Sequence, residues 1–228
     1  QQGIITKEMQ RAAAKENRPV ELIQTGLAEG TICLPANINH QSLDPVAIGK
    51  GLRTKVNANI GTSADFSSTD KELAKLEIAS EARADAVMDL STGSSTDIDT
   101  IRKKFVASSA MPLGTVPIYQ AAVLAMEQHK AIVAMTTEDI FSVIEKQAQD
   151  GVDFITVHCG VTQRTIEVLR REGRVTDIVS RGGSFLTGWM LHHNKENPLY
   201  EQYDRLLDIA RRYDVTLSLG DGLRPGCL

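Results

Sequence analysis

Apolar and polar positions alternate regularly along the chain from Lys55 onward. Short runs rich in Val, Ile and Leu recur there, and each of the first five is followed by a charged segment that favours a helix. Strands alternating with helices are typical of right-handed βαβ units and a parallel sheet. The predicted strands are KVNANIG (55–61), AVMDLS (86–91), LGTVPIY (113–119), DFITVHCG (153–160), TDIVSRGG (176–183) and TLSLGD (216–221).

The spacing of these six strands indicates the kind of sheet. The strand centres are Val56, Val87, Thr115, Ile155, Ile178 and Leu217. Their average spacing extrapolates to roughly 250 residues for eight units, the usual size of a (β/α)8 barrel. A doubly wound open sheet is the competing fold, although no G-x-G-x-x-G motif follows the first strand. We expect an α/β chain with a TIM-type barrel, here reduced to about six β/α units.

The first fifty residues follow a different pattern. The segments TKEMQRAAAKEN and RPVELIQTGLAEG predict two short helices, the second with Pro19 near its start and Gly30 after its end. The segment TICLPANINH is predicted to be extended, with a break at its proline. The sequence therefore predicts a short helical N-terminal appendage over 1–50 and a partial barrel over 51–228.

Composition and charge disfavour several classes of partner. The 228 residues carry a net charge of −4 with scattered Lys and Arg, and only 4% are aromatic, which argues against a nucleic-acid surface. No apolar run reaches 18 residues, and the first residues lack a signal-peptide core, so no membrane partner is expected. The three widely spaced cysteines form no metal set and are typical of reduced thiols in a cytoplasmic protein.

Each predicted strand ends in polar or conformationally special residues. These are Asn57, Asn59 and Gly61; Asp89 and Ser91; Tyr119; His158; Ser180–Gly183; and Asp221–Arg224. The C-terminal strand ends of a barrel face one crevice, where active sites lie. Helix capping is the alternative explanation and accounts for Ser91 and Thr62. We expect most of the other side chains to share one site.

The stretch SRGGS, just before a predicted helix, is the best candidate for an anion site. Gly182 and Gly183 let the backbone approach a ligand closely, and a helix start offers N–H donors. Arg181 or Arg224 could add a bidentate clamp on phosphate. His158 is a candidate for ligand contact or acid–base chemistry, with a satisfied core histidine as the alternative. These residues predict a site for a small phosphorylated molecule with hydroxyl groups.

Several stretches, in order, resemble a known family. They are PANINH, KVNANIGTS, AVMDLSTG, GTVPIYQA, GVDFITVHCGVT, TDIVSRGGSF, KENPLYEQYD and YDVTLSLGDGLRPGC. The chain resembles the thiamin pyrimidine synthase (phosphomethylpyrimidine synthase) family, which includes the sister activity 5-hydroxybenzimidazole synthase of anaerobic cobamide biosynthesis. Members are radical S-adenosylmethionine enzymes that rearrange 5-aminoimidazole ribotide, either to hydroxymethylpyrimidine phosphate or to the benzimidazole.

The resemblance implies a (β/α)8 barrel that holds the ribotide at its strand ends. The implied substrate contacts are Asn59, Met88, Tyr119, His158, Ser180, Arg181, Gly182, Asp221, Gly222, Leu223 and Arg224. The glycine-rich turn and Arg224 suit the phosphate, and Asp221 suits the ribose hydroxyls. Met88 would be an apolar wall near the reacting carbons. From the residues alone, plain barrel core remains an alternative for Met88 and Tyr119.

The family pattern breaks off after DGLRPGC. The resemblance implies that a complete member continues through two more barrel strands carrying a catalytic glutamate and two histidines for a divalent metal, zinc or iron. A C-x-x-C-x4-C segment then binds the [4Fe–4S] cluster that cleaves S-adenosylmethionine. We therefore expect this chain to be an inactive N-terminal portion that holds none of these cofactors. Its catalytic residues are unknown and are expected in the missing part.

Three further expectations follow from the sequence. Exposed first and sixth strands predict a homodimer or an abnormal oligomer, because unpaired sheet edges invite pairing with another chain. A sugar-phosphate aldolase or isomerase is disfavoured because no strand end offers a lysine or a carboxylate pair. A non-enzymatic sugar-phosphate binding domain is the remaining alternative.

Overall fold

The chain begins with two helices and a small antiparallel ribbon. The structure is a computed structural model and describes residues 3–63 and 65–227. Both predicted N-terminal helices are present, as α1 (Lys7–Glu16) and α2 (Val20–Glu29). Gly30 ends α2 in a left-handed conformation, as expected for a glycine C-cap. The ribbon pairs β1 (Ile32–Cys33) with β2 (Ile48–Gly49).

Five parallel strands form the main sheet. In sheet order they are β3 (Asn57–Ile60), β4 (Ala86–Asp89), β5 (Leu113–Thr115), β6 (Phe154–Val157) and β7 (Thr216–Leu219). All neighbouring pairs are parallel, so the C-terminal ends of the five strands lie along one edge of the sheet. The predicted α/β class and parallel sheet are therefore confirmed.

The prediction of six strands is wrong by one, because residues 176–180 form no strand. Val175 is 94% exposed and Val179 is 44% exposed, so this short apolar run does not enter the sheet. β7 takes the place beside β6 instead, with Phe154 opposite Thr216. The run leads directly into a helix that begins at Arg181. With only two apolar residues, Ile178 and Val179, this run is too short to compete with β7 for the free edge of β6.

The strand predicted over 113–119 is also shorter than expected. β5 ends at Thr115, and Pro117 occupies the first turn of the next helix. Proline suits that position, because its fixed φ matches the helix and the first turn needs no N–H donor. Tyr119 therefore lies in the first turn of a helix and not at the end of a strand.

Ten α-helices lie within the described residues. Those after β3 are α3 (Thr69–Glu81), α4 (Ser95–Ser108), α5 (Pro117–His129), α6 (Thr137–Gln149), α7 (Gln163–Glu172), α8 (Arg181–His193), α9 (Pro198–Glu201) and α10 (Tyr203–Tyr213). Local signals explain several helix starts. Thr136 and Asp139 form a capping box at α6, and Ser180 caps α8.

The largest apolar core lies between the sheet and helices α5, α6, α8 and α10. It includes Phe141, Ile144, Ile155, Leu186 and Leu206, each at most 1% exposed. Burial of one such side chain stabilises the fold by about 1.5–3 kcal/mol relative to exposure. This core holds the helices that carry part of the candidate site.

A buried arginine joins three helices on the outer side of the sheet. The Arg102 side chain on α4 is fully buried and donates to Asp99 (2.5 Å) and to Asp150 (2.6 Å). It also donates to the side-chain oxygen of Gln120 on α5, at 2.8 Å. We call these four residues the Arg102 cluster. Its two carboxylates compensate the buried charge, as a buried cation requires.

The N-terminal segment covers the end of the sheet at which the strands begin. Asp153, just before β6, accepts hydrogen bonds from the backbone N–H of Asn37 (2.9 Å) and of Leu113 (2.7 Å). His40 also contacts this carboxylate, with 2.7 Å between its Nδ1 and the Oδ2 oxygen. The predicted appendage over 1–50 is thus hydrogen-bonded to the sheet, and the boundary at residue 50 stays a prediction.

Candidate functional site

His158 follows β6 and is 4% exposed. A Cβ atom on Gly182 would lie 2.3 Å from its Cε1, and one on Gly220 would lie 3.1 Å from its Nε2. Gly222 also borders the ring, with a Cβ there 3.5 Å from Cδ2. Side chains at Gly182 or Gly220 would therefore press on the imidazole. Three glycines from two distant segments enclose this histidine.

The environment of His158 keeps the imidazole neutral. Burial lowers the pKa of His158 below its ordinary value, and the nearby Arg224 guanidinium lowers it further. The carboxylate of Asp221 acts in the opposite direction but does not reverse the shift. Within the described residues, His158 Nδ1 has no hydrogen-bond partner. A buried, unpaired ring nitrogen is costly and is suited to a ligand contact.

The SRGG turn forms the start of α8. The Ser180 side chain is 1% exposed, and its hydroxyl oxygen accepts a hydrogen bond from Gly183 N–H at 3.2 Å. A Cβ atom on Gly183 would lie 2.0 Å from the carbonyl oxygen of Gly222, so the two loops touch backbone to backbone. The helix start places backbone N–H groups of its first turn beside His158, where an anion would be favoured.

The DGLRPG loop follows β7 and completes this part of the site. The Asp221 carboxylate accepts a hydrogen bond from Leu223 N–H at 3.1 Å. Arg224 donates from Nη1 to the Asp221 carbonyl oxygen, also at 3.1 Å, and its side chain is exposed. Leu223 packs against the large core, and its carbonyl oxygen accepts a hydrogen bond from Arg174. Leu223 thus anchors the loop, while Asp221 and Arg224 face solvent.

Tyr119 joins the site through Arg181. The Arg181 guanidinium lies 5.2 Å from the centre of the Tyr119 ring, a cation–π distance. Phe185, one turn further along α8, meets the same ring edge to face at 6.3 Å. These residues line a groove of about 460 Å³ between α5 and α8, next to Thr92 and Gly93. The first turn of α5, which carries Tyr119, therefore lies beside the SRGG turn at the start of α8.

Asn59 and Met88 form a separate pair on the other half of the sheet. They are direct partners in the register of β3 and β4. Asn59 is exposed and accepts a hydrogen bond from the Asn57 amide at 3.1 Å, while Met88 is half-buried against the core. The structure thus brings Tyr119, His158, the SRGG turn and the DGLRPG loop together. It leaves the Asn59–Met88 pair two or more strands away from β6.

Sequence reasoning missed Gly220, which is the last residue before the DGLRPG loop. A Cβ atom on Gly220 would lie 2.7 Å from Thr156 Cγ2 and 3.1 Å from His158 Nε2. The available signal was a glycine directly after a strand, which often marks a close approach of another group to the backbone. That signal identifies a crowded position, and only the fold shows which side chain occupies it.

The cysteines do not form a cluster-binding set. Cys33 and Cys159 are half-buried and Cys227 is exposed, all as free thiols. Burial raises the pKa of Cys159 to about 11, so this thiol is protonated at neutral pH, whereas metal ligation needs the thiolate. Among residues 3–63 and 65–227, no group of three His, Cys, Asp or Glu side chains could hold a metal ion. The residues present therefore do not fit an iron–sulfur cluster or a divalent metal.

Comparison with known proteins identifies the family. A family model described as the radical SAM ThiC family matches residues 1–228. The chain belongs to the radical SAM ThiC family. The ThiC family assignment confirms the resemblance that the sequence motifs indicated.

None of the described helices has the length and apolar character that a membrane crossing needs.

Two similar curated relatives of this ThiC-family chain carry the same name. The phosphomethylpyrimidine synthase of Desulforamulus reducens is 61% identical over 226 residues, which cover 99% of this chain and 52% of that protein. The phosphomethylpyrimidine synthase of Moorella thermoacetica is 62% identical over 228 residues, covering 100% of this chain and 52% of that protein. The chain spans about half the length of the curated relatives it matches.

Proposed function

We propose that the whole protein is a phosphomethylpyrimidine synthase, which rearranges 5-aminoimidazole ribotide to hydroxymethylpyrimidine phosphate, and that this chain supplies much of its ribotide site. The enclosure of His158 by Gly182, Gly220 and Gly222 carries the proposal, because it gathers two predicted motifs around one side chain. The names of the relatives favour the pyrimidine product over the benzimidazole of the sister activity. They also favour an enzyme over a sugar-phosphate binding domain.

Each part of the ribotide has a matching group in this proposal. The phosphate binds at the start of α8, where Ser180, Arg181 and Gly182 offer backbone N–H groups, and Arg224 adds a charged donor. Asp221, exposed at the end of β7, accepts from the ribose hydroxyls. The loop formed with Gly222 and Leu223 sets the position of these two charged side chains.

The aminoimidazole would lie toward the middle of the sheet edge. His158 offers it an unpaired Nδ1 on a neutral ring, which can accept a hydrogen bond from an N–H donor. Tyr119 offers an aromatic face and a hydroxyl, and Asn59 offers a side-chain amide. Met88 provides a soft apolar surface near the carbons that react. We propose that Asn59 and Met88 contact the ligand from the opposite side of the opening.

We further propose that the five parallel strands belong to a (β/α)8 barrel in the whole protein. In that arrangement β3 and β7, the two edge strands of the present sheet, would each pair with a strand from another part of the whole protein. For the chain of residues 1–228 alone, these edges predict dimers or aggregates. Sedimentation of this chain tests the prediction, and a monodisperse monomer with a cooperative thermal transition would contradict it.

The cofactors of the whole protein are assigned to the part beyond this chain. A [4Fe–4S] cluster with S-adenosylmethionine would supply the radical chemistry, and a divalent metal, zinc or iron, would assist it. Because the cysteines here form no ligand set, we propose that residues 1–228 alone are catalytically inactive. The cytoplasmic location inferred from the cysteine pattern stays a prediction.

Replacing Arg224 by alanine in the whole enzyme tests the proposed site. We expect the affinity for the ribotide to fall by about 1.5–3 kcal/mol, the value of a hydrogen bond to a charged group. Arg211→Ala is the matched control, because that arginine is exposed on α10 and pairs with Asp208. Calorimetric titration measures both variants. Unchanged affinity in Arg224→Ala would show that this residue does not touch the substrate.

A further inference from the structure

Asn197 holds the loop that carries His158. Its side chain is fully buried between α8 and α9. The amide nitrogen donates to two carbonyl oxygens of the loop after β6, those of His158 and Val161, both at 2.9 Å. The amide oxygen accepts from Leu199 N–H at 3.0 Å and so caps α9. One side chain therefore joins a helix cap to the backbone of the site.

The preceding residue reinforces this attachment. The Glu196 carboxylate accepts from the N–H of Gln163, the first residue of α7, at 3.0 and 3.1 Å. The same carboxylate accepts from Asn197 N–H at 2.8 Å. Two consecutive side chains thus fix the carbonyl of His158, the carbonyl of Val161 and the N–H of Gln163. The loop of residues 158–163 is held at both of its ends.

The position of the imidazole depends on this attachment. Gly182 and Gly220 leave the ring little space, so it fits only when the backbone of His158 lies in its present place. The hydrogen bond from Asn197 to the His158 carbonyl is the nearest side-chain contact that fixes that place. A shift of the loop would press the ring on the glycines or open the site to water.

We propose that Asn197 is a positioning residue that sets the imidazole of His158 for the ribotide. The inference rests on the proposed function for the identity of the ligand, but the placement of the ring does not depend on it. The alternative is that Asn197 serves only to cap α9. The two roles use different atoms of one amide, so a single substitution separates them.

Asn197→Asp is that substitution. A carboxylate oxygen still accepts from Leu199 N–H, so the helix cap is kept. Both donors to the loop are lost, and an oxygen then faces the carbonyls of His158 and Val161. Asn194→Asp is the matched control, because it adds the same charge at the exposed C-cap of α8.

The test follows the imidazole by NMR in the whole enzyme, with His158→Gln used to assign its signals. The ring faces Arg224 and Asp221 and is followed by the Cys159 thiol, and these groups are unchanged in both variants. In Asn197→Asp we expect the His158 ring signals to move, because the loop that carries the ring is no longer held by the two donated hydrogen bonds. The Leu199 amide should stay protected from exchange.

A second measurement links the ring to the ligand. In the whole enzyme, Asn197→Asp should raise the dissociation constant of the ribotide about tenfold, which corresponds to about 1.4 kcal/mol. A wild-type enzyme that does not bind the ribotide would refute the proposed function, while the NMR result would still decide the role of Asn197.

Unchanged His158 signals in a less stable Asn197→Asp protein would overturn the inference and leave a helix cap only. If that variant does not fold, Glu196→Gln replaces it. This change weakens the same attachment and should move the His158 signals in the same direction by less. Unchanged signals there would equally overturn the inference.

Discussion

The buried carboxylate of Asp153 gives the sharpest test of how the fold is held. One oxygen accepts from the backbone N–H of Asn37, and the other accepts from Leu113 N–H and from His40 Nδ1. His40 Nε2 donates to the Ser109 carbonyl oxygen at 3.0 Å. Since both ring nitrogens face acceptors, the imidazole is held as a cation. Asp153→Asn removes the opposing charge and leaves the shape nearly unchanged.

The expected cost of Asp153→Asn is large. The new NH2 group faces backbone N–H groups that need an acceptor, and His40 loses its counter-ion. Removing one partner from a buried ion pair costs about 3–5 kcal/mol. This is a large share of the roughly 5–15 kcal/mol that holds a typical domain folded. With a urea dependence of about 2 kcal/mol per molar, the unfolding midpoint should fall by about 2 M.

The pH dependence of the free energy of unfolding gives an independent test of the His40–Asp153 pair. Burial opposes the charged form of His40, but the hydrogen bond and charge of Asp153, with carbonyls of Ser109 and Val106, raise the His40 pKa overall. Stabilisation by this pair is therefore fully present below the unfolded pKa of about 6.5 and is lost as pH rises through the folded pKa. In Asp153→Asn only the carbonyls of Ser109 and Val106 still oppose burial, so the pKa of His40 should fall and this stabilisation at low pH should be lost.

Urea unfolding followed by circular dichroism, near pH 6 and near pH 8.5, measures both effects. His40→Gln is the control, since it removes the titrating group and should remove this pH dependence. Two results together would refute the reasoning: a loss below about 1 kcal/mol in Asp153→Asn, and the same pH dependence as the wild type. They would mean that the ion pair does not attach the N-terminal segment to the sheet.

Three further predictions concern other parts of the chain. Gly182→Ala should weaken ribotide binding by the whole enzyme about tenfold or more, because its Cβ would lie 2.3 Å from the imidazole. Gly188→Ala on the same helix, with its nearest atom 4.0 Å away, should keep the affinity; calorimetry that finds both equal would contradict the steric account. Arg102→Met should cost about 3 kcal/mol in chemical denaturation, since it removes the buried cation that Asp99 and Asp150 share and leaves them only the more exposed Lys146 and Lys103, and an unchanged midpoint would oppose this. Because the thiol pKa of Cys159 is about 11, iodoacetamide at pH 8 should label exposed Cys227 well before Cys159, and equal labelling rates by peptide mass would argue against it.

Much of the secondary structure was predictable because its causes are local. Periodic apolar runs marked all five strands of the sheet, and Gly30 marked the end of α2. The chemistry at the strand ends was also visible, since glycine, serine and arginine are adjacent in SRGG and DGLRPG. What these stretches bind stays a proposal, because no sequence pattern shows which side chains meet.

The sequence by itself determined the alternation of strand and helix, the parallel sheet and the family, because these depend on short-range patterns and on motif order. Only the tertiary structure decided that β7, and not residues 176–180, pairs with β6, since strands compete for one edge over long distances. It also decided that glycines from two distant loops enclose His158 and that Asp153 binds the N-terminal segment. Such contacts join residues far apart in the chain, and their free energy exists only after the core has packed.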